Sequence, residues 1–474
     1  MRKIIFPLII VILLGVLAVP VMAQGPSSYE STLNVTNVSG SSGTITLTYY
    51  NSDGTVAATY EDDIDPYETK FYTTLPSVSD GFNGSMIVSS GVPIAAASMV
   101  IGKDAGDSPM NYAHYVGVSN GSGTAYLPLL MDSNYGFNTF YYVQNTSNDL
   151  VDVAISYSDG LVVSAIEDLE PGASVKIDNQ AEAHTAKKFT GTLTATGGDI
   201  AVTVVEWADG SYGKPLYSYS GFDGGSTNPV LPMVNQNNYG YWTAIPVQNL
   251  GTITTTVTLS YTPTKAGTAC TETLEIGPGA LGEFGSYAHK FSPQTPGTTC
   301  TLGQTFVGVA TVTGNTASQP LVGIVNQLNT ELTEDYDKGA ALMGINVSKA
   351  TPKVVFPEVY QWYGTWHWWS SITITNLSGS ALPIGDVSCR GVGTSDGGAE
   401  DVSWSNTSAI ANGEGWITDL YQDFGPMPNT FLGGVICTSA TGEIVGTLNT
   451  LGHTAPDAID TYTIYEGVNV EVTP

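Results

Sequence analysis

Positive charge is scarce in this chain. Of 474 residues only 14 are Lys or Arg, against 43 Asp or Glu, and the formal net charge is -29. Nucleic acids and anionic membrane surfaces are bound through clustered Lys and Arg, so the composition argues against both partners. Arg390 is the one arginine downstream of Arg2. Charge of either sign is thin at 12%, while 42% of residues are hydrophobic and 54 are Gly. A disordered chain stays expanded through dense charge and few aromatics, so this composition implies a folded, β-rich protein instead. Its length predicts about three or four domains at roughly 100–200 residues each.

Cysteine is also sparse. Cys270, Cys300, Cys389 and Cys437 form no CxxC pair, and the histidines His114, His184, His289, His367 and His453 are dispersed, so no zinc-ligand spacing exists. The economical pairing is Cys270–Cys300 with Cys389–Cys437, in an oxidising compartment. Long apolar runs are confined to the N-terminus: Arg2 and Lys3 precede Ile4 to Val19, and Val21-Met22-Ala23 offers a small-residue cleavage site before Gln24. Residues 1–23 therefore read as a secretory signal, with a membrane anchor as the competing reading. No later segment approaches about 18 consecutive apolar residues, so no membrane insertion is expected after cleavage.

What the chain does have is repetition. Val143-Gln144-Asn145 recurs as Val247-Gln248-Asn249, and more loosely as Val35-Thr36-Asn37 and Ile374-Thr375-Asn376. Each Asn follows an alternating apolar run and precedes small polar residues, which suits a side chain that closes a strand into a turn. An alternating strand follows (Ile45, Leu47, Tyr49; Val153, Ile155, Tyr157; Val257, Leu259, Tyr261), then a corner such as Glu170-Pro171-Gly172 or Gly277-Pro278-Gly279. Phe-x-Gly opens a further strand at Phe82, Phe189, Phe306 and Phe431, where an aromatic beside a glycine is a packing device. Later repeats open alike, with Leu127-Pro128, Leu231-Pro232 or Phe356-Pro357 and then Tyr-Gly at Tyr135, Tyr239 and Tyr363; proline in such a run suits an edge strand.

With about seven short strands per unit and no helical periodicity, the pattern predicts an all-β chain of four tandem antiparallel, Ig-like β-sandwich domains after the signal peptide. The expected bounds are 24–122, 123–227, 228–348 and 349–474. The order Leu-Pro, Tyr-Gly, Val-Gln-Asn, Pro-Gly, Phe-x-Gly resembles tandem β-sandwich repeats of largely uncharacterised secreted or cell-surface bacterial proteins, over nearly the whole mature chain. The resemblance implies a surface location and an architectural role and carries no catalytic residues.

Chemistry is weakly signalled. No nucleophile–base pair, paired carboxylates or open metal site emerges, so no catalytic, cofactor or metal residues are named and a secreted hydrolase is the least favoured reading. Glu61-Asp62-Asp63 with Asp65 matches Glu167-Asp168 and Glu170 in position, which suits solvated turns better than acid/base pairs; calcium would lack an EF-hand loop. Repeat four holds six of the eight tryptophans. In an extended strand Trp366 and Trp368 would share one face, and His367 and Trp369 the other, with Trp362 nearby. One face packs in the core while the other either stacks on glycans or covers a domain junction.

The functional expectation is an exported, non-enzymatic structural or adhesive surface protein, with a carbohydrate-binding protein as the alternative. Self-assembly is a further expectation. Pro128 and Pro232 precede their motif Asn by 17 residues, and the same count back from Asn37 reaches Pro20, inside the signal. Repeat one would then lose its first strand on cleavage, and the alternating tail Val468, Val470, Val472 of another copy could fill the gap to form a homopolymer; otherwise the tail extends its own last strand.

Overall fold

The computed structural model describes residues 25–208, 214–285, 297–301, 303–316, 319–329, 338–421, 425–456 and 459–470. Residues 1–24, including the expected signal peptide and Pro20, lie outside this set, as do His289 and Val472. The described chain is all-β, in eight antiparallel sheets, with two 3-10 turns, Asn179–Ala181 and Val347–Lys349, as its only helical elements.

The second repeat shows the plan. An opening strand (Thr124–Met131), a motif strand ending in the Asn (Phe137–Asn145), an alternating strand (Val151–Tyr157), two short strands (Ile166–Leu169, Ser174–Asp178), a Phe-x-Gly strand (Lys188–Thr196), a penultimate strand (Ile200–Ala208) and a closing strand (Leu216–Ser220) follow in order. One sheet runs Ile166–Leu169, alternating, Phe-x-Gly, opening; the other runs Ser174–Asp178, motif, penultimate, closing. The third repeat (Val230 to Met343) and the fourth (Lys353 to Asn469) reproduce both orders, the fourth adding the short strand Val468–Asn469 beside its opening strand, so repeats two and three have eight strands and repeat four nine where the sequence suggested about seven. In the first repeat, one sheet holds only Val56–Ile64, Gly43–Asn51 and Gly84–Ser90, with no opening strand among the described residues.

Repeated residues do repeated work. Asn37, Asn145, Asn249 and Asn376 are all fully buried. Asn145 Nδ2 donates to the carbonyls of Asp149 (2.8 Å) and Leu169 (2.7 Å), and its Oδ1 accepts from Ser147 N–H. Asn249 does the same with Ile253, Ile276 and Gly251, Asn376 with Ser380, Ile410 and Ser378, and Asn37 with Ser41, Asp65 and Ser39. One amide thus satisfies turn groups that burial would otherwise leave unpaired. The Phe-x-Gly aromatic meets the alternating-strand Tyr edge-on in Tyr49–Phe82, Tyr157–Phe189 and Tyr261–Phe306. A Cβ at Gly433 would fall 2.4 Å from the Phe431 ring, which explains the glycine.

The opening prolines sit where the ladder shifts register: the pairing slips between Leu127 and Leu130, between Leu231 and Val234, and between Phe356 and Val359. A missing donor costs nothing at such a bulge. The opening strand is also touched on its outer side by the residue that follows the closing strand, as Tyr126 pairs with Phe222, Val230 with Ile345 and Val355 with Val468. Val468–Asn469 therefore extends the chain's own sheet, and Val470 N–H bonds the Lys353 carbonyl. Within the single chain this is the alternative arrangement of the tail, in which Val468 and Val470 lie against apolar Val38, Ala95, Val355 and Ile436 of the same chain.

The repeats close on one another. The four closing strands, Pro109–Val116, Leu216–Ser220, Lys338–Met343 and Thr463–Glu466, pack each against the next and the fourth against the first. The opening strands of repeats two, three and four each pack on the motif and penultimate strands of the following repeat, with repeat four packing on repeat one. One contact repeated in this way generates a ring. Both disulfides form as the sequence predicted: Cys270–Cys300, and the core bridge Cys389–Cys437 between directly paired strands.

Candidate functional site

The hairpins that join opening to motif strands carry the Tyr-Gly pairs. Tyr135 and Tyr239 adopt φ of 52° and 48°, followed by Gly136 and Gly240 at 85° and 81°. Left-handed backbone is costly for a bulky residue. Both rings nonetheless stand clear of the core, 73% and 90% exposed. In a ring built from one repeated contact, equivalent positions fall on the same face, so these tyrosines share a face with the corresponding Trp362–His367 turn of repeat four.

That turn departs from the expected extended strand. Strand begins only at Trp368, because Tyr363 and Trp368 exchange two backbone bonds of 2.8 Å around a turn with Trp362, Gly364 and His367 at φ of 53°, 68° and 48°. Trp366 and Trp368 still lie together, 5.9 Å apart, but both meet Tyr112 of repeat one edge-on. This pair covers the junction between the fourth and first repeats. On the other side, Trp362 stacks on His367 at 4.6 Å and 8°, with Tyr421 and His453 against it and Trp369 packed on Tyr421. Trp362 and Trp369 are half-buried, His367 Nδ1 lies 3.3 Å from Thr454 Oγ1, and Tyr421 Oη lies 3.3 Å from His453 Nε2. Flat, partly open rings fixed by neighbours are suited to stacking on another flat or apolar surface. Trp404 and Trp416 pack against the core of repeat four.

A second constellation is buried at the ring closure. Glu358, 4% exposed, accepts from Asn34 Nδ2 and Tyr360 Oη and lies 2.8 Å from His114 Nε2. Burial first, and the Glu358 charge second, hold the Tyr360 hydroxyl well above its ordinary pKa. Between repeats two and three, Glu206 is fully buried and accepts from Asn326 Nδ2 at 2.7 Å; burial raises its carboxyl to about 8. Between repeats three and four, Asp460 accepts from Gly339 N–H and the Tyr462 hydroxyl donates to Gln327 Oε1. Each of the three carboxyl groups is bonded across a junction, while Glu206 Oε1 and His114 Nδ1 are buried without a hydrogen-bond partner among the described residues.

The remaining sequence candidates are spread out. Glu61, Asp63 and Asp65 are exposed, and Asp62 accepts from the Tyr72 hydroxyl at 2.9 Å. Glu167, Asp168 and Glu170 are exposed likewise. No group of three His, Cys, Asp or Glu close enough to hold a metal ion occurs among the described residues. No described helix is long and apolar enough to cross a membrane. Arg390 makes two bonds to Asp401 and places its guanidinium 4.4 Å from the Tyr67 ring of repeat one. The display of Tyr135 and Tyr239 escaped the sequence reading although Tyr-Gly recurs there, because the recurrence marks the turn and not which way the ring points. The sequence matches no protein-family model and no curated protein.

Proposed function

We propose that the chain is an exported, non-enzymatic structural or adhesive protein of the cell surface, made of four sandwich domains at the bounds read from the sequence. The observation that carries this reading is the outward placement of Tyr135 and Tyr239 on equivalent turns of a closed ring. Exposed aromatics held at a fixed spacing on a rigid frame present a contact surface to a cell-surface polymer or another protein. Two disulfides fit an oxidising location. The test is retention of the purified chain on isolated cell-envelope material. A Tyr135→Ser/Tyr239→Ser variant with unchanged melting behaviour should lose at least about tenfold in retention; equal retention would overturn the reading.

Carbohydrate binding is the second reading, favoured by the group of half-buried Trp362, His367 and Tyr421 with exposed His453. It is tested by glycan-array binding of Trp362→Ala against Trp366→Ala. Loss in the first with retention in the second supports a glycan platform; absence of any glycan binding by the parent chain removes it.

A further inference from the structure

Three observations in repeat one converge on a strand position that no described residue fills. The Phe-x-Gly strand Gly84–Ser90 ends a three-stranded sheet, whereas its counterparts in the other repeats pair onward with an opening strand. Phe82, Met86 and Ile94 are only half-buried, while their counterparts Phe189, Leu193 and Ile200 are 1%, 0% and 2% exposed. Val118 follows the closing strand as Phe222 and Ile345 do; those residues pair with opening strands and are 7% and 8% exposed, but Val118 is 41% exposed. The gap also falls on an interface. Opening strands of the other repeats pack on the next repeat's motif and penultimate strands, and at the junction of repeats one and two that element is missing among the described residues.

We propose that this position is a strand-acceptor groove, and that its occupant is the chain's own segment Val16–Ala23. Twenty-four residues precede the first described one, enough for an eight-residue strand. The connection matches as well. Met131 ends the opening strand six positions before Phe137, and Ala23 stands six before Tyr29, which pairs with Gly102 as Phe137 pairs with Ala208. Aligned on the proline, Val19, Val21 and Met22 fall where Leu127, Leu129 and Leu130 are 0%, 5% and 0% exposed. The same positions in repeat three are Leu231, Met233 and Val234, at 0%, 8% and 0%. Pro20 falls at the bulge, where no ladder donor is used. No charge occurs in Val16–Ala23, as an apolar groove requires. The residues that read as an export signal thus carry a second specification, that of the first strand of the first sandwich. Cleavage after Ala23 removes the plug and opens the groove, so the exported chain differs from the precursor in one exposed sheet edge.

The experiment compares the Gln24–Pro474 chain with the uncleaved chain, using a synthetic Val16–Gly25 peptide with two appended lysines for solubility. In the Gln24–Pro474 chain the amides of Met86, Val88 and Val118 should exchange with deuterium at least about tenfold faster than in the uncleaved chain. The peptide should bind it one to one and restore their protection. A peptide carrying Val19→Asp and Val21→Asp should not bind, and the uncleaved chain should bind neither. Absence of peptide binding, equal binding of the aspartate peptide, or equal protection in both chains would overturn the proposal. A Gln24–Pro474 dimer with those amides already protected would also overturn it, by showing that a second copy fills the groove.

Discussion

The Nε2 atom of His114 lies 2.8 Å from Oε2 of Glu358, across 244 positions of sequence, and so ties the first repeat to the fourth. Both side chains are almost fully buried, and Asn34 and Tyr360 also donate to the carboxylate. Removing one member of such a group leaves the others without partners in a dry environment, which costs more than the bond itself. Glu358→Ala should lower the unfolding free energy by about 3–5 kcal/mol. His114→Ala should cost less, about 1–3 kcal/mol, because Asn34 and Tyr360 still serve the carboxylate. Urea denaturation of both variants and the double mutant measures the coupling; strictly additive losses would show that the pair does not cooperate.

Glu206 gives the junction of repeats two and three a pH dependence. Its carboxyl is raised by burial from the usual 4.5 to about 8, so between those values the folded chain retains a proton that the unfolded chain has released. Stability is then greatest below the unfolded value and is lost as pH rises through the folded one. Glu206→Gln abolishes this titration, so the variant should match its parent in acid and exceed it by a growing margin, about 1.4 kcal/mol per pH unit at most, towards pH ~8. Parallel curves for the two proteins from about pH 5 to 8.5 would contradict the assignment.

The motif asparagines should be intolerant of replacement. Asn249→Ala deletes bonds to Ile253, Ile276 and Gly251 in a buried turn. A loss of about 2–4 kcal/mol is expected, since each unsatisfied buried group costs about 1–3 kcal/mol with partial relief by water. Asn249→Asp keeps the acceptor but loses both donors and should be nearly as damaging. Thermal unfolding of the two variants is the measurement; a loss confined to Ala would place the weight on the acceptor alone.

The two disulfides should differ in accessibility. Cys389 and Cys437 are 1% and 0% exposed, whereas Cys270 is half-buried at the edge of its sheet. Mild reductant followed by alkylation and mass analysis should therefore label Cys270 and Cys300 first. Loss of each bridge should cost about 2–4 kcal/mol. Simultaneous labelling of all four residues would mean that repeat four opens as readily as repeat three.

Local devices were legible in the sequence because each is carried by a few adjacent residues. Asn145 after its alternating run, Phe189 before Gly191 and Pro128 in an apolar strand all announce their geometry within a short window. The cysteine pairing was legible because each pair falls within one repeat. Ring closure was not, since it depends on Glu358 meeting His114 and on Gly434 leaving room for Thr36 and Thr69 of repeat one, contacts that no periodicity encodes. The Trp-rich turn misled for a related reason. Trp366, His367 and Trp368 are consecutive, but His367 in a left-handed conformation breaks the alternation that would have set their faces.

Ring closure makes the order of the repeats along the chain partly arbitrary. Repeat four docks on repeat one with the contact that joins two to three and three to four, although no peptide bond crosses that junction. A chain reopened in the exposed Ser119–Asn120 link, with its present ends joined by a flexible tether, would keep all four junctions. Which repeat is synthesised first is in this sense a matter of genetic bookkeeping, and a single nick between repeats would leave two fragments held as one particle.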